Sequence, residues 1–99
     1  MTAYSSVRFR PKPGHEKEFE HVFRKLPRDF DGLRKMALVK APDGTYFSIG
    51  EWDTFEHMVN ARPLMVGNLD KFRHTLQEHS EGAGVTDAVS GEAVFEMSR

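Results

Sequence analysis

The sequence predicts an α+β domain of the ferredoxin-like kind, in which a four-stranded antiparallel sheet carries two helices on one face. Three observations lead there. Strand-like and helix-like stretches alternate in the order β-α-β-β-α-β, the split βαβ arrangement. A Pro-Asp-Gly loop at 42–44 joins the two central strand runs and reads as a hairpin. Those hairpin strands are apolar on both sides, whereas two amphipathic helices cover only one, so a second copy of the sheet is the simplest cover and a homodimer with an isologous interface is expected.

The first strand is Tyr4 to Arg10, where Ser5, Val7 and Phe9 alternate with Ser6, Arg8 and Arg10. Pro11-Lys12-Pro13-Gly14 ends it, because proline cannot donate to a ladder. From His15 to Arg28, Phe19, Val22, Phe23 and Leu26 fall at i, i+3, i+4 and i+7 and form one helical stripe. Glu16 and Glu18 open that helix while Arg24, Lys25 and Arg28 close it, as the helix dipole favours. Pro27 loosens the last turn, and Asp31-Gly32 makes the connection.

Leu33 to Ala41 and Thr45 to Trp52 are the hairpin strands, with Met36 and Leu38 opposed to Leu33, Ala37 and Val39, and Phe47 and Ile49 opposed to Tyr46 and Trp52. Asp53 or Thr54 caps a second helix that should reach about Arg62, where Pro63 forces a kink or a restart. Met65, Leu69, Phe72 and Leu76 then continue an apolar stripe to about His79. After the Gly-containing break at 81–84, Val85 to Met97 supplies the last strand, with Gly91 as a bulge or close-packing point.

Ninety-nine residues and 11.3 kDa leave room for one domain, residues 1–99. Fourteen basic and fifteen acidic residues are interleaved, so there is no basic face for nucleic acid. The absence of cysteine excludes disulfides, thiolate metal sites and a cysteine nucleophile. The N-terminus has no apolar leader and no apolar run is long enough to cross a bilayer, so a cytoplasmic protein without membrane contact is expected.

The run from Tyr46 to Glu56, a strand ending in Trp52 and entering an acidic-started helix, resembles the antibiotic biosynthesis monooxygenase family of dimeric α+β barrels. The segment from Val7 to Phe19 is similar to that family's first strand, Pro-Gly turn and opening helix. The resemblance implies a homodimer whose sheets form a barrel, with a pocket in each subunit between helices and sheet. It implies monooxygenase chemistry on an aromatic or quinol substrate without metal or flavin, although fold alone does not fix the reaction. The haem-degrading branch uses an Asn on the first strand and an iron-ligating His on the second helix. Here the first strand holds Val7, Arg8 and Phe9, and the two asparagines are Asn60 and Asn68, so that branch fits poorly.

Tyr46 and Trp52 share a strand face with small Ser48 and Gly50 between them. That face either leaves a hollow walled by two aromatics, suited to a flat aromatic ligand, or is plugged by Trp52 at the barrel end or dimer seam. Arg62 lies beside the stripe of Met58, Met65, Leu69, Phe72 and Leu76, with Arg73 at its margin. Each arginine either reaches water or points inward to bind an enolate-like oxygen. The candidate catalytic residues are thus Trp52, Arg62 and Arg73, and the candidate substrate-binding residues are Tyr46, Trp52, Met58 and Phe72. The five histidines lack metal-ligand spacing and read as solvent-facing, Asp87 reads as a turn or cap residue, and no metal or other cofactor is expected. Two functions follow as expectations: a cofactor-independent monooxygenase of a small aromatic or quinol-type molecule, or a non-catalytic dimeric domain that holds such a ligand.

Overall fold

The structure, a computed structural model, describes residues 1–99. Its elements are β1 (Ala3–Phe9), α1 (Glu16–Arg24), β2 (Leu33–Lys40), β3 (Tyr46–Trp52), α2 (Phe55–Leu69), a short 3₁₀ turn (Arg73–Thr75) and β4 (Thr86–Glu92). One antiparallel sheet has the strand order β2-β3-β1-β4, which is the ferredoxin-like arrangement. Both helices lie on the face that carries Phe9, Tyr46 and Trp52. No helix is long and apolar enough to cross a membrane.

The hairpin closes as its sequence requires. Gly44 has φ +88°, which a side chain would strain, and Asp43 Oδ1 accepts from the Thr45 amide at 3.0 Å and the Thr45 hydroxyl at 2.7 Å. Those bonds to Thr45 hold the Asp43 carboxyl below its usual range. Of the two candidate caps for α2, Thr54 is the one used: its hydroxyl accepts from the His57 amide at 3.1 Å.

Several boundaries differ from those expected. Helix α1 stops at Arg24, not Arg28, because the residue before a proline is driven out of the α region and Leu26 precedes Pro27. Helix α2 runs through Pro63 to Leu69 without a restart. The carbonyl that proline leaves without a donor belongs to Val59, which is exposed to water. The stripe from Met65 does not continue as helix to His79. Beyond Phe72 the chain instead bonds to the end of β1, Lys12 N to Thr75 O at 2.7 Å and Gln77 N to Arg10 O at 2.8 Å.

Strand β4 spans Thr86 to Glu92 and contains Asp87, so that residue is neither turn nor cap. The strand ends at Glu92 because its partner β1 begins at Ala3, opposite it. Gly91 pairs in regular register with Tyr4 and nothing approaches its Cα, so it is no bulge. The irregularity lies at Arg34, where Leu33 and Lys35 oppose the consecutive residues Trp52 and Glu51. It turns Leu33 to the helix side, against the simple alternation.

The core divides in two. Phe9, Phe19, Phe23, Leu26, Tyr46, Phe72 and Leu76 form one cluster, with ring centroids 5.1–6.0 Å apart and mostly tilted or edge-on. Ala3, Trp52, Met58 and Ala61 form the other, against Phe30, Leu33, Phe55 and Met65. On the opposite sheet face Ala37, Val39, Phe47, Ile49 and Val89 have no layer above them, and Ile49 is 38% and Val89 71% exposed.

Both tyrosines resist ionisation. Burial, then a 2.5 Å hydrogen bond donated to Glu20, pushes the Tyr46 hydroxyl up to about 12. For Tyr4 the bond donated to Glu96 leads, with the same result of about 12. A raised folded-state value means that the stabilisation is complete below the unfolded value of 10.0 and is lost as pH climbs from there towards about 12. Alkaline titration by absorbance at the tyrosinate band should therefore show essentially no ionisation at pH 10 in the native protein, and half-ionisation of both residues at that pH in urea.

Candidate functional site

Between the two core clusters the sheet is paved with small side chains. The register aligns Gly50, Ser5 and Ser90 in one row across β3, β1 and β4, and Ser48, Val7 and Ala88 in the next. Larger residues flank these rows, Phe9 beside Tyr46 at one end and Ala3 beside Trp52 at the other. Helix α2 rests on the large residues and spans the small ones. It therefore encloses a cavity of about 360 Å³.

The helix wall is Met58, Arg62, Met65, Val66 and Leu69, a set at helical spacing, and the far end is closed by Phe23, Leu26, Phe30 and Phe72. Four serines, Thr86, Asn68, Arg28 and Arg62 supply the polar groups of this largely apolar pocket, a composition that suits a flat organic ligand. No carboxylate or imidazole lines it.

The two arginines differ. Arg28 is spent on structure: its guanidinium donates to the carbonyls of Phe23, Arg24 and Leu26 at the end of α1 and lies 4.8 Å over the Phe23 ring. Burial lowers the pKa of that guanidinium, which nonetheless stays a cation. Arg62 forms no ion pair and lies across the mouth, where it makes a long contact of 3.4 Å with Ser90 Oγ. It is the cation free to meet a ligand oxygen. Asn68 donates to the Pro27 carbonyl at 3.0 Å and so ties the last turn of α2 to the end of α1.

Of the residues singled out from the sequence, Met58, Arg62 and Phe72 meet on this cavity. Tyr46, Trp52 and Arg73 do not. The face between Tyr46 and Trp52 contributes Ser48 to this cavity, while Trp52 plugs its end, the second of the two readings of that face: its indole lies over Gly50, donates to Ser5 Oγ at 3.0 Å and stacks on Phe30 at 6.0 Å. Tyr46 packs into the aromatic cluster with its hydroxyl on Glu20. Arg73 pairs with Asp70 at 3.2 Å on the surface, because the chain leaves the helix before reaching it.

Ser5, Ser90 and Asn68 were not apparent as site residues, and Ser48 was read only as a small residue between Tyr46 and Trp52. The signal of the serines is smallness at inward positions of three strands, which the register aligns. The histidines stand elsewhere: His15 and His74 both bond Glu18, at 3.1 and 2.8 Å, and keep its carboxyl below the ordinary range. His57 caps its own helix start through Thr54 and packs over Gly32. No three His, Asp or Glu side chains converge as a metal site would require.

Comparison with known proteins places this architecture. No family model matches the chain, and no curated protein does. Solved structures do. SnoaB from Streptomyces nogalater, a cofactor-independent oxygenase, superposes with a TM-score of 0.75 at 18% identity over 99% of this chain and 98% of that one. Rv0793 from Mycobacterium tuberculosis gives 0.78 at 15% identity over 99% and 100%. A dimeric ferredoxin-like protein from an uncultured marine organism gives 0.77 at 12% identity over 99% and 92%. Several other structures of this fold carry the antibiotic biosynthesis monooxygenase name. At these identities the likeness establishes the fold.

The small rows are sterically exacting. A Cβ on Gly50 would lie 2.8 Å from Ser5 Oγ and 2.9 Å from Trp52 Nε1. Gly50→Ala should destabilise the protein by about 1–3 kcal/mol through overpacking. Urea unfolding followed by Trp52 fluorescence should show a lower midpoint with an unchanged slope.

Proposed function

We propose that this chain is a cofactor-independent monooxygenase that oxidises a small aromatic or quinol-type molecule in the cavity beneath α2. The observation that carries the reading is the enclosure itself, an apolar slot with aromatic walls and one uncommitted cation, Arg62, at its mouth. The oxygenase activity of SnoaB, a protein of the same fold, supports it.

In this reading the ionised substrate is its own reductant. A phenolate passes electrons to O₂, a new C–O bond forms at the ring carbon para to the ionised oxygen, and the O–O bond then breaks. The products are a quinone and one water, which takes the phenolic proton and the hydrogen of that carbon. The protein's part is to hold the ring flat between Phe72 and the α2 methionines and to stabilise the oxyanion with Arg62. Since no carboxylate or imidazole lines the cavity, the proton leaves to solvent at the mouth. The rate should accordingly follow substrate ionisation: kcat/KM rises with pH and levels off above the pKa of the phenol, with a limb that moves from one substrate to another as their pKa values differ.

Oxygen uptake with a panel of dihydroxynaphthalenes tests the proposal. Turnover should fall about 10²-fold in Arg62→Ala, the usual loss for one oxyanion donor, while the circular dichroism spectrum is retained. Absence of turnover across the panel, with binding intact, would establish instead the non-catalytic ligand-binding domain, which the lack of a general base in the lining favours.

We also propose that the working unit is a homodimer closed over the open sheet face. Phe47, Ile49, Val39 and Ala37 form an apolar surface there, with Val89 on the far side of Ser6 of β1. The marine protein of this fold is described as dimeric. Sedimentation equilibrium at micromolar concentration should give twice the 11.3 kDa chain mass, and Ile49→Lys should return the single-chain mass.

A further inference from the structure

A second cleft lies between α1 and the strands β2 and β3; it adjoins the cavity under α2, with which it shares Phe23, Arg28 and Met36, and adds Glu20, Arg24, Leu38, Lys40 and Tyr46 of its own. We infer that it is a separate binding site for amphipathic anions, molecules with an aromatic or short acyl body and a carboxylate, sulfonate or phosphate head. Its volume is about 520 Å³.

The floor is apolar, formed by Phe23, Met36 and Leu38 with the ring of Tyr46. Three cations, Arg24, Arg28 and Lys40, stand around it against one carboxylate, Glu20, although the chain as a whole carries a net charge of -1. Local charge is thus opposite in sign to the molecule's, as a site for anions requires.

The charges inside the cleft are unequal in what they already do. The carboxylate of Glu20 is occupied by the Tyr46 hydroxyl at 2.5 Å, and Arg28 is occupied by the carbonyls that end α1. Lys40 has no ion pair: its ammonium hangs 5.8 Å from the Tyr46 ring centroid. Arg24 reaches Glu20 only at 3.6 Å with its side chain 79% exposed, a pairing that water makes weak. Two cations on opposite walls, one from α1 and one from the end of β2, are therefore available to a head group whose body lies on the apolar floor. Charge-assisted bonds of that kind are stronger than neutral ones.

The cleft is on the helix side of the sheet. An assembly through the open sheet face leaves it accessible, so the inference does not depend on the proposed reaction.

The test uses the full-length protein labelled with ¹⁵N and titrated with 1-naphthoate, then with the neutral 1-naphthalenemethanol. Saturable shifts of backbone amides in residues 20–28 and 36–40 are expected for naphthoate. The neutral analogue should bind about tenfold more weakly, from the loss of a charged hydrogen-bond partner. The double variant Arg24→Ala, Lys40→Ala should weaken naphthoate by a similar factor and leave the neutral compound unaffected. Both side chains are on the surface, so the variant keeps its fold. Shifts confined to 58–69 and 86–90, equal affinity for the two compounds, or an affinity unchanged in the double variant would each overturn the assignment.

Discussion

The constraint on which the molecule's design depends is the placement of small residues in the middle of a sheet whose two ends are bulky. A helix laid across such a surface is held off by the ends. Phe9 and Tyr46 at one end, and Trp52 at the other, act as supports, while Ser5, Ser48, Gly50, Ala88 and Ser90 leave the middle low. This is why a chain of 99 residues forms two small clusters in place of one continuous core. It forgoes some apolar burial, which in a domain of this size is a sizeable part of its stability.

Trp52 illustrates how closely support and space are linked. Its indole fills the room above Gly50 and finds a hydroxyl partner in Ser5, so one side chain both seals the end of the cavity and satisfies its own N–H. The same serine contributes to the cavity floor. Changes at any of these three positions should be felt at the other two, since residues in direct contact do not act additively.

Much of the fold was legible from periodicity and turn chemistry. The succession of strands and helices along the chain, the hairpin at 42–44, the stripe of Phe19 and Phe23 and the capping segment at 53–54 are local patterns that survive tertiary packing. What could not be read were features decided between distant segments. The helix after Phe72 yields to hydrogen bonds with the end of β1, and the last strand stops where its partner starts. For the cavity, Met58 and Arg62 were legible because helical spacing projects them together, whereas Phe72 reaches it from beyond the end of α2. The choice between Trp52 as wall and Trp52 as plug was not legible, because the direction of its ring depends on Ser5, 47 positions earlier in the chain. At Pro63 the helix continues, since the residue whose carbonyl loses its donor, Val59, lies on the exposed side of α2.

The irregularity at Arg34 has an outcome for the perimeter of the sheet. By adding one residue to β2 it directs the Arg34 guanidinium across the strand ends, where it bonds Asp53 at 2.7 Å and Thr2 at 2.8 Å. Lys35 and Lys40 stand along the same margin. An edge strand so kinked and so densely cationic is a poor template for another chain to add itself by backbone pairing. Runaway stacking of strands is thereby discouraged, which leaves the apolar sheet face as the surface open to self-association.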